Sequence, residues 1–244
     1  MMSVQPSYVS LPNTIIFPNP TVKSQKEDIS PFSLPPETLV DFVLLLLNET
    51  AGIILTEWRT LLYRRMNVPL VPCHFSYIVP DNRLQQASEI LTSMGLPLSL
   101  PDPLYARFIL LYPSSFCHFS PSELESVDQP LFGSDKLSVP LNVPTVSATY
   151  ASLVRTAAVY KRSDPARKTL LSELAQLALY NLYDGDYGKG FEDEDEDEDD
   201  EREIQQAVAV VRGWTWNAGE EWIGDALAEV VATSAYGNLP WMGC

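Results

Sequence analysis

The sequence predicts an α+β fold, a small mixed β-sheet flanked by helices and followed by a helical C-terminal half. Three observations predict it. Hydrophobic residues make up 45% and aromatic residues 10% of the 244 residues, enough for a sizeable core and too many for a disordered chain. Helical and strand periods alternate from Glu37 to Phe119. From Ser147 onward the apolar residues recur only at helical spacing, and no internal repeat is present.

Met1 to Pro36 is rich in Pro and Ser and reads as an irregular arm, with one short extended piece at Thr14 to Phe17. Pro35-Pro36-Glu37 opens a helix, because proline is tolerated in a first turn. Leu39, Phe42, Val43, Leu46 and Leu47 form its apolar side and Gly52 ends it. Ile53-Ile54-Leu55 is a short β-branched run, a buried strand by length and type. Thr56 to Asn67 reads as a helix broken by Pro69 and Pro72, and Cys73 to Val79 as a strand. Pro80-Asp81-Asn82 is a turn and cap before an amphipathic helix from Arg83 to Met94, stopped at Gly95.

Tyr105 to Tyr112 and Phe116 to Phe119 read as two further strands, and Pro121 to Val127 as a short acidic helix or turn. Leu137 to Leu141 is extended. Helices follow at Ser147 to Lys161 and from Pro165 to about Tyr183. Residues 184–203 form an acidic, disordered loop, and two helices, Ile204 to Arg212 and Glu220 to Ala232, close the chain. This gives an arm (1–36), an α+β domain with helical extension (37–183), the acidic loop (184–203) and C-terminal helices packing on the same domain (204–244). The tryptophans Trp214, Trp216, Trp222 and Trp241 either dock those helices on the core or form a partner-binding patch.

The net charge of −16 comes largely from ten consecutive acids, Glu192 to Glu201; subtracting them leaves −6, ordinary for a globular domain. Such a run is a solvated, self-repelling segment or a loose site for a basic partner. The 16 basic residues are dispersed, and Lys161, Arg162, Arg167 and Lys168 are too few for a nucleic-acid stripe or an anionic membrane surface. The longest apolar run, Phe42 to Leu47, cannot span a bilayer, and Met1 to Ser30 lacks a signal-peptide pattern. Cys73, Cys117 and Cys244 form no disulfide framework. The expectation is an intracellular protein, cytoplasmic or nuclear, bound to neither nucleic acid nor membrane.

The stretch "AGIILTEWRTLLYRRMNVPLVPCHFSYIVPDNRLQQASEILTSMGLP" resembles the core of the nucleotidyltransferase-like superfamily: strand, turn, helix, second strand, polar turn, amphipathic helix. "YIVPDNRLQQASEILTSMGLP" is most like the antitoxin-like members. "LNVPTVSATYASLVRTAAVYKRSDPARKTLLSELAQLALYNL" is similar to their later helical pair. The resemblance spans roughly residues 37–183 and is greatest to divergent fungal members.

In that family two carboxylates at D-x-D spacing point to one strand face and hold Mg²⁺ and a nucleoside triphosphate. Counting back from Pro80-Asp81, the resemblance places those positions on His74 and Ser76, and the family's Gly-Gly turn on Thr56 and Glu57. An imidazole and a hydroxyl do not replace two hard oxygen ligands. The resemblance therefore implies a degenerate site, no cofactor, and a binding or regulatory role toward an unidentified protein or small molecule. The alternative is an active transferase using Mg²⁺ and a nucleoside triphosphate, with carboxylates displaced to Asp81, Glu57 or Asp102. A third reading, an accessory protein of fungal specialised metabolism, rests on association alone.

Cys73-His74 and Cys117-His118 suggest zinc, but adjacent strand residues point to opposite faces, so two dipeptides offer two ligands to one site rather than four. Buried cysteines and half-buried histidines are the plainer reading. If the two strands are neighbours, His74 and His118 share a polar pocket. "GDYGKG" at Gly185 to Gly190 lacks the P-loop spacing and runs into the acidic tract, so it reads as a linker. No nucleophile motif is present.

Overall fold

The computed structural model describes residues 7–10, 35–71, 74–93, 96, 108–131, 137–183 and 196–240. The fold is α+β. Its contacts gather into two compact units: Met1–Leu62, Val71–Phe116 and Leu124–Val143 contribute to the first, and Tyr63–Leu70, Cys117–Glu123 and Pro144–Cys244 to the second.

The first unit is built on a mixed sheet. Its strands are β1 (Ser7–Ser10), β2 (Thr56–Trp58), β3 (His74–Val79), β4 (Phe108–Pro113), β5 (Leu124–Pro130) and β6 (Ser138–Pro144), ordered β1-β4-β3-β2-β6-β5. β3 runs parallel to β4 and antiparallel to β2, while β2 runs parallel to β6. Helices α1 (Pro36–Ala51) and α3 (Leu84–Ser93) cover one face. There Val43, Leu47, Ala87 and Leu91 join Phe75, Tyr77, Val79, Ile109, Leu111 and Leu141 in one buried cluster.

Local chemistry sets these helices. Pro36 occupies the first turn of α1, and Gly52 closes it in the left-handed conformation (φ 61°), its N–H donating to the Asn48 carbonyl and the Ile53 N–H to that of Leu47. The Arg83 guanidinium donates to the Ala51 carbonyl beside that terminus, where a cation meets the negative end of the helix.

The second unit contains α5 (Val146–Val159), α6 (Pro165–Asn181), α7 (Glu196–Gly213) and α8 (Glu221–Thr233). α5 packs on α6, and α7 on α8. Thr145 caps α5 by accepting from the Ala148 N–H at 3.3 Å, and Asp164 caps α6 by accepting from Ala166 at 2.8 Å. Arg167, one of the four clustered basic residues in the sequence, is 1% exposed. It donates to the carbonyls of Ala157 and Leu239, both at 2.5 Å.

Several expectations are corrected. The strand after Gly52 is Thr56–Trp58, not Ile53-Ile54-Leu55: Ile53 and Leu55 are buried, but the ladder starts one residue later, with the Asn142 N–H donating to Leu55 O. The helix expected over Thr56 to Asn67 shrinks to α2 (Thr60–Arg65). Phe116 to Phe119 is no strand; α4 (Ser114–Cys117) is a single helical turn, and His118 follows in the left-handed region (φ 55°). Val127 belongs to strand β5 rather than to the 3₁₀ turn Pro121–Glu123. The arm contains a strand, Ser7–Ser10, antiparallel to β4; the piece expected at Thr14 to Phe17 lies outside the described residues.

The acidic loop expected over 184–203 is also corrected, because α7 starts at Glu196, inside the acid run. Glutamate is a good helix former and acids favour the positive N-terminal end, so a like-charged run can still begin a helix. Residues 184–195, including the Gly185 to Gly190 segment, lie outside the described residues.

Candidate functional site

Strand β3 carries His74 and Ser76, the positions that the resemblance assigns to metal-holding acids. Alternation points both to one face, together with Ile78 and with Trp58 and Thr56 opposite them on β2. That face is closed at Ser76, which is 0% exposed and whose hydroxyl finds no hydrogen-bond partner among the described residues. His74 is half-buried, and desolvation, followed by the nearby Arg59 charge, holds its imidazole below the ordinary value of 6.5.

Glu57 points the other way. It pairs with Tyr77 across the β2–β3 ladder, is 4% exposed, and faces the α1 side of the sheet. There it lines a pocket of about 190 Å³ with Glu37 and Asp41 of α1, Gln129 of β5, and walls that include Phe75 and Leu44. This volume lies far above the ~10–15 Å³ that admits a single water. Glu37, Val40, Asp41 and Leu44 fall at helical spacing on one stripe of α1, so the helix presents two acids and two apolar side chains to the same cavity. Carboxylates in a concave, apolar-walled site focus negative potential. Among the described residues no three of His, Cys, Asp and Glu are grouped as a metal ion would require.

The structure separates the other candidates. Thr56 and Glu57 form no turn: both are buried in β2. The turn into α2 falls instead at Arg59, in the left-handed region (φ 54°). Asp81 caps α4, accepting from the Ser114 hydroxyl and the Ser115 N–H, both at 2.9 Å; these bonds, outweighing desolvation, hold its carboxyl below the ordinary 3.8. His118 lies after α4, in the second unit, and not on a strand beside β3, so the shared His74–His118 sheet face does not form. Burial and then the Arg155 charge lower the His118 imidazole. Cys117 is buried, while Cys73 and Asp102 lie outside the described residues.

The second unit holds a charged cluster that sequence reasoning missed. Arg155 of α5 bonds Glu220 through Nε (2.7 Å) and Nη2 (2.5 Å), Glu123 through Nη2 (2.6 Å) and Nη1 (3.1 Å), and the His118 carbonyl through Nη1 (3.0 Å). Asn217 donates to both carboxylates, at 3.1 and 3.0 Å. Every Arg155 nitrogen is engaged, which marks a structural tie between helices and a loop rather than a reactive group.

Glu37 and Asp41 were also missed, though a signal existed. Like charges at i, i+4 on an apolar helix stripe disfavour the isolated helix and so point to a use elsewhere. Trp214 packs against Tyr150 (5.0 Å between ring centres) and edge-on against Trp216 (5.8 Å), within the helical unit. No described helix is long and apolar enough to cross a membrane. No protein-family model, curated protein or solved structure matches this chain.

Proposed function

We propose that this chain is a non-catalytic relative of the nucleotidyltransferase-like group, working inside the cell, that acts by binding an organic cation in the pocket lined by Glu37, Asp41 and Glu57. The observation that carries this reading is the opposition of two faces. The face bearing His74 and Ser76, where a transferase would hold Mg²⁺ and a nucleotide, is closed at Ser76, whereas the acids line a cavity on the other face. Apolar walls suit the stem of an amine or guanidine, and the carboxylates suit its charge.

Isothermal titration tests it with two probes, N-acetyl-lysine methylamide and MgATP. The lysine derivative binds and MgATP does not. Metal-dependent nucleotide binding at millimolar affinity or tighter overturns the reading.

One observation favours the second reading, a Mg²⁺-dependent transferase with displaced acids: three carboxylates line one pocket, although among the described residues they are not grouped as a single metal ion would require. Glu37 and Asp41 lie on α1, outside the strand and turn that the resemblance marks, Glu57 falls where it marks a turn rather than a metal-holding acid, and Asp81 is committed to its cap. Transfer of radiolabel from a nucleoside triphosphate to protein or a small acceptor, lost in Glu57→Gln, would establish this second reading.

A further inference from the structure

We propose that the cation entering this pocket is a lysine or arginine side chain carried by an extended peptide that pairs with the open edge of β5. The proposal rests on the reading above, that the pocket takes an organic cation, and adds the identity of its carrier.

The strand order makes β5 terminal: among the described residues its one strand neighbour is β6. Its other edge therefore presents backbone donors and acceptors to an incoming strand. Protected edges are commonly blunted by lysine or an internal proline, but β5 (LESVDQP) has no basic residue and its one proline is its last residue. Glu125 and Asp128 are exposed on it, so this edge is acidic.

The same strand lines the cavity. Gln129 and Pro130 stand in its wall with Glu37, Asp41 and Glu57. A strand added to β5 would lie about 4.8 Å beyond it, within reach of the pocket for a long aliphatic side chain. Main-chain bonds to the edge would supply affinity that is indifferent to sequence, and the pocket would select the side chain. Both parts are negative, so a basic peptide is favoured and an acidic one repelled.

The test uses the full chain and an acetylated, amidated heptapeptide of alternating threonine and valine with one central lysine. Controls are the same peptide with norleucine at the centre, two versions N-methylated at alternate residues in opposite phase, and N-acetyl-lysine methylamide. The lysine peptide is expected to bind at least tenfold more tightly than the lysine derivative. Norleucine and one of the two N-methylated phases should each lose at least tenfold, and the amides of 124–129 should gain protection from hydrogen exchange. Equal affinity for the parent and both N-methylated peptides, or unprotected β5 amides, overturns edge pairing while leaving the cation pocket intact. Equal affinity for the norleucine peptide shows that the pocket is not engaged and overturns the proposal. Binding of neither the peptide nor the lysine derivative overturns the pocket reading and this proposal with it.

Discussion

Glu57 and Ser76 sit one register step apart on paired strands, yet their side chains emerge on opposite faces of the sheet. The carboxylate lines the cavity and the hydroxyl is sealed, so the two residues make opposite demands on substitution.

Glu57→Gln keeps shape and hydrogen-bonding capacity but removes the charge. A charge-assisted bond exceeds a neutral one by about 1–2 kcal/mol, so affinity for N-acetyl-lysine methylamide should fall by about tenfold. Titration of the variant, with thermal melting to confirm folding, checks this. Unchanged affinity would place the cation elsewhere.

Ser76→Ala should leave stability unchanged or raise it by about 1 kcal/mol. The hydroxyl is buried without a partner among the described residues, and leaving such a group unpaired costs about 1–3 kcal/mol. Removing one small atom opens little space. Urea unfolding measures the difference, and a loss above 1 kcal/mol would mean that the hydroxyl makes a bond the native protein uses.

Most of the fold was legible because periodicity reports burial. The stripe of Leu39, Val43 and Leu47 marks α1, and alternation through Phe75, Tyr77 and Val79 marks β3. Where the sequence misleads, burial mimics pairing. Ile53 and Leu55 are buried like strand residues, yet the ladder belongs to Thr56–Trp58, and a parallel partner 86 residues away from Thr56, Asn142, fixes that register. The candidate site was half legible. Motif reasoning fixes attention on His74 and Ser76, whereas the cavity depends on two helices and four strands that only the folded chain assembles. Arg155 carried no sequence signal, since Glu123 and Glu220 lie 32 and 65 residues from it.

Arg155 makes a prediction about pH. Its bonds hold the Glu220 carboxyl below the ordinary 4.5, against the opposing effect of burial. A depressed carboxylate contributes stability that is present above its unfolded value and is lost as pH falls through the folded one. The wild-type melting temperature should therefore decline as pH drops below about 4.5, and Glu220→Gln should show a shallower decline in this window. Arg155→Ala, which leaves two carboxylates facing each other, should destabilise at pH 7 by about 2 kcal/mol, below the ~3–5 kcal/mol of a fully buried pair. Lysine at this position should restore little, because it lacks the planar fork that spans both acids. Melting curves from pH 3 to 7 for the three variants test this; identical slopes for wild type and Glu220→Gln would refute the assignment.

Gly224 lies in α8 directly beneath Trp216, and a Cβ added there would sit 2.3 Å from the indole Nε1 and 2.9 Å from Cε2. Both are atoms of a rigid ring, so alanine can be accepted only if the whole indole moves. That movement would disturb the edge-on contact between Trp216 and Trp214, and through Trp214 the packing on Tyr150. Alanine ordinarily favours a helix over glycine by about 1 kcal/mol, yet overpacking costs about 1–3 kcal/mol, so Gly224→Ala should be destabilising on balance. Its tryptophan emission should shift as the Trp216 indole leaves its seat. Adding Trp216→Ala removes the obstruction, so the glycine substitution should then become neutral or stabilising, a coupling visible in a double-mutant cycle. Additive effects of the two substitutions would mean that Trp216 does not occupy the space above Gly224 in solution.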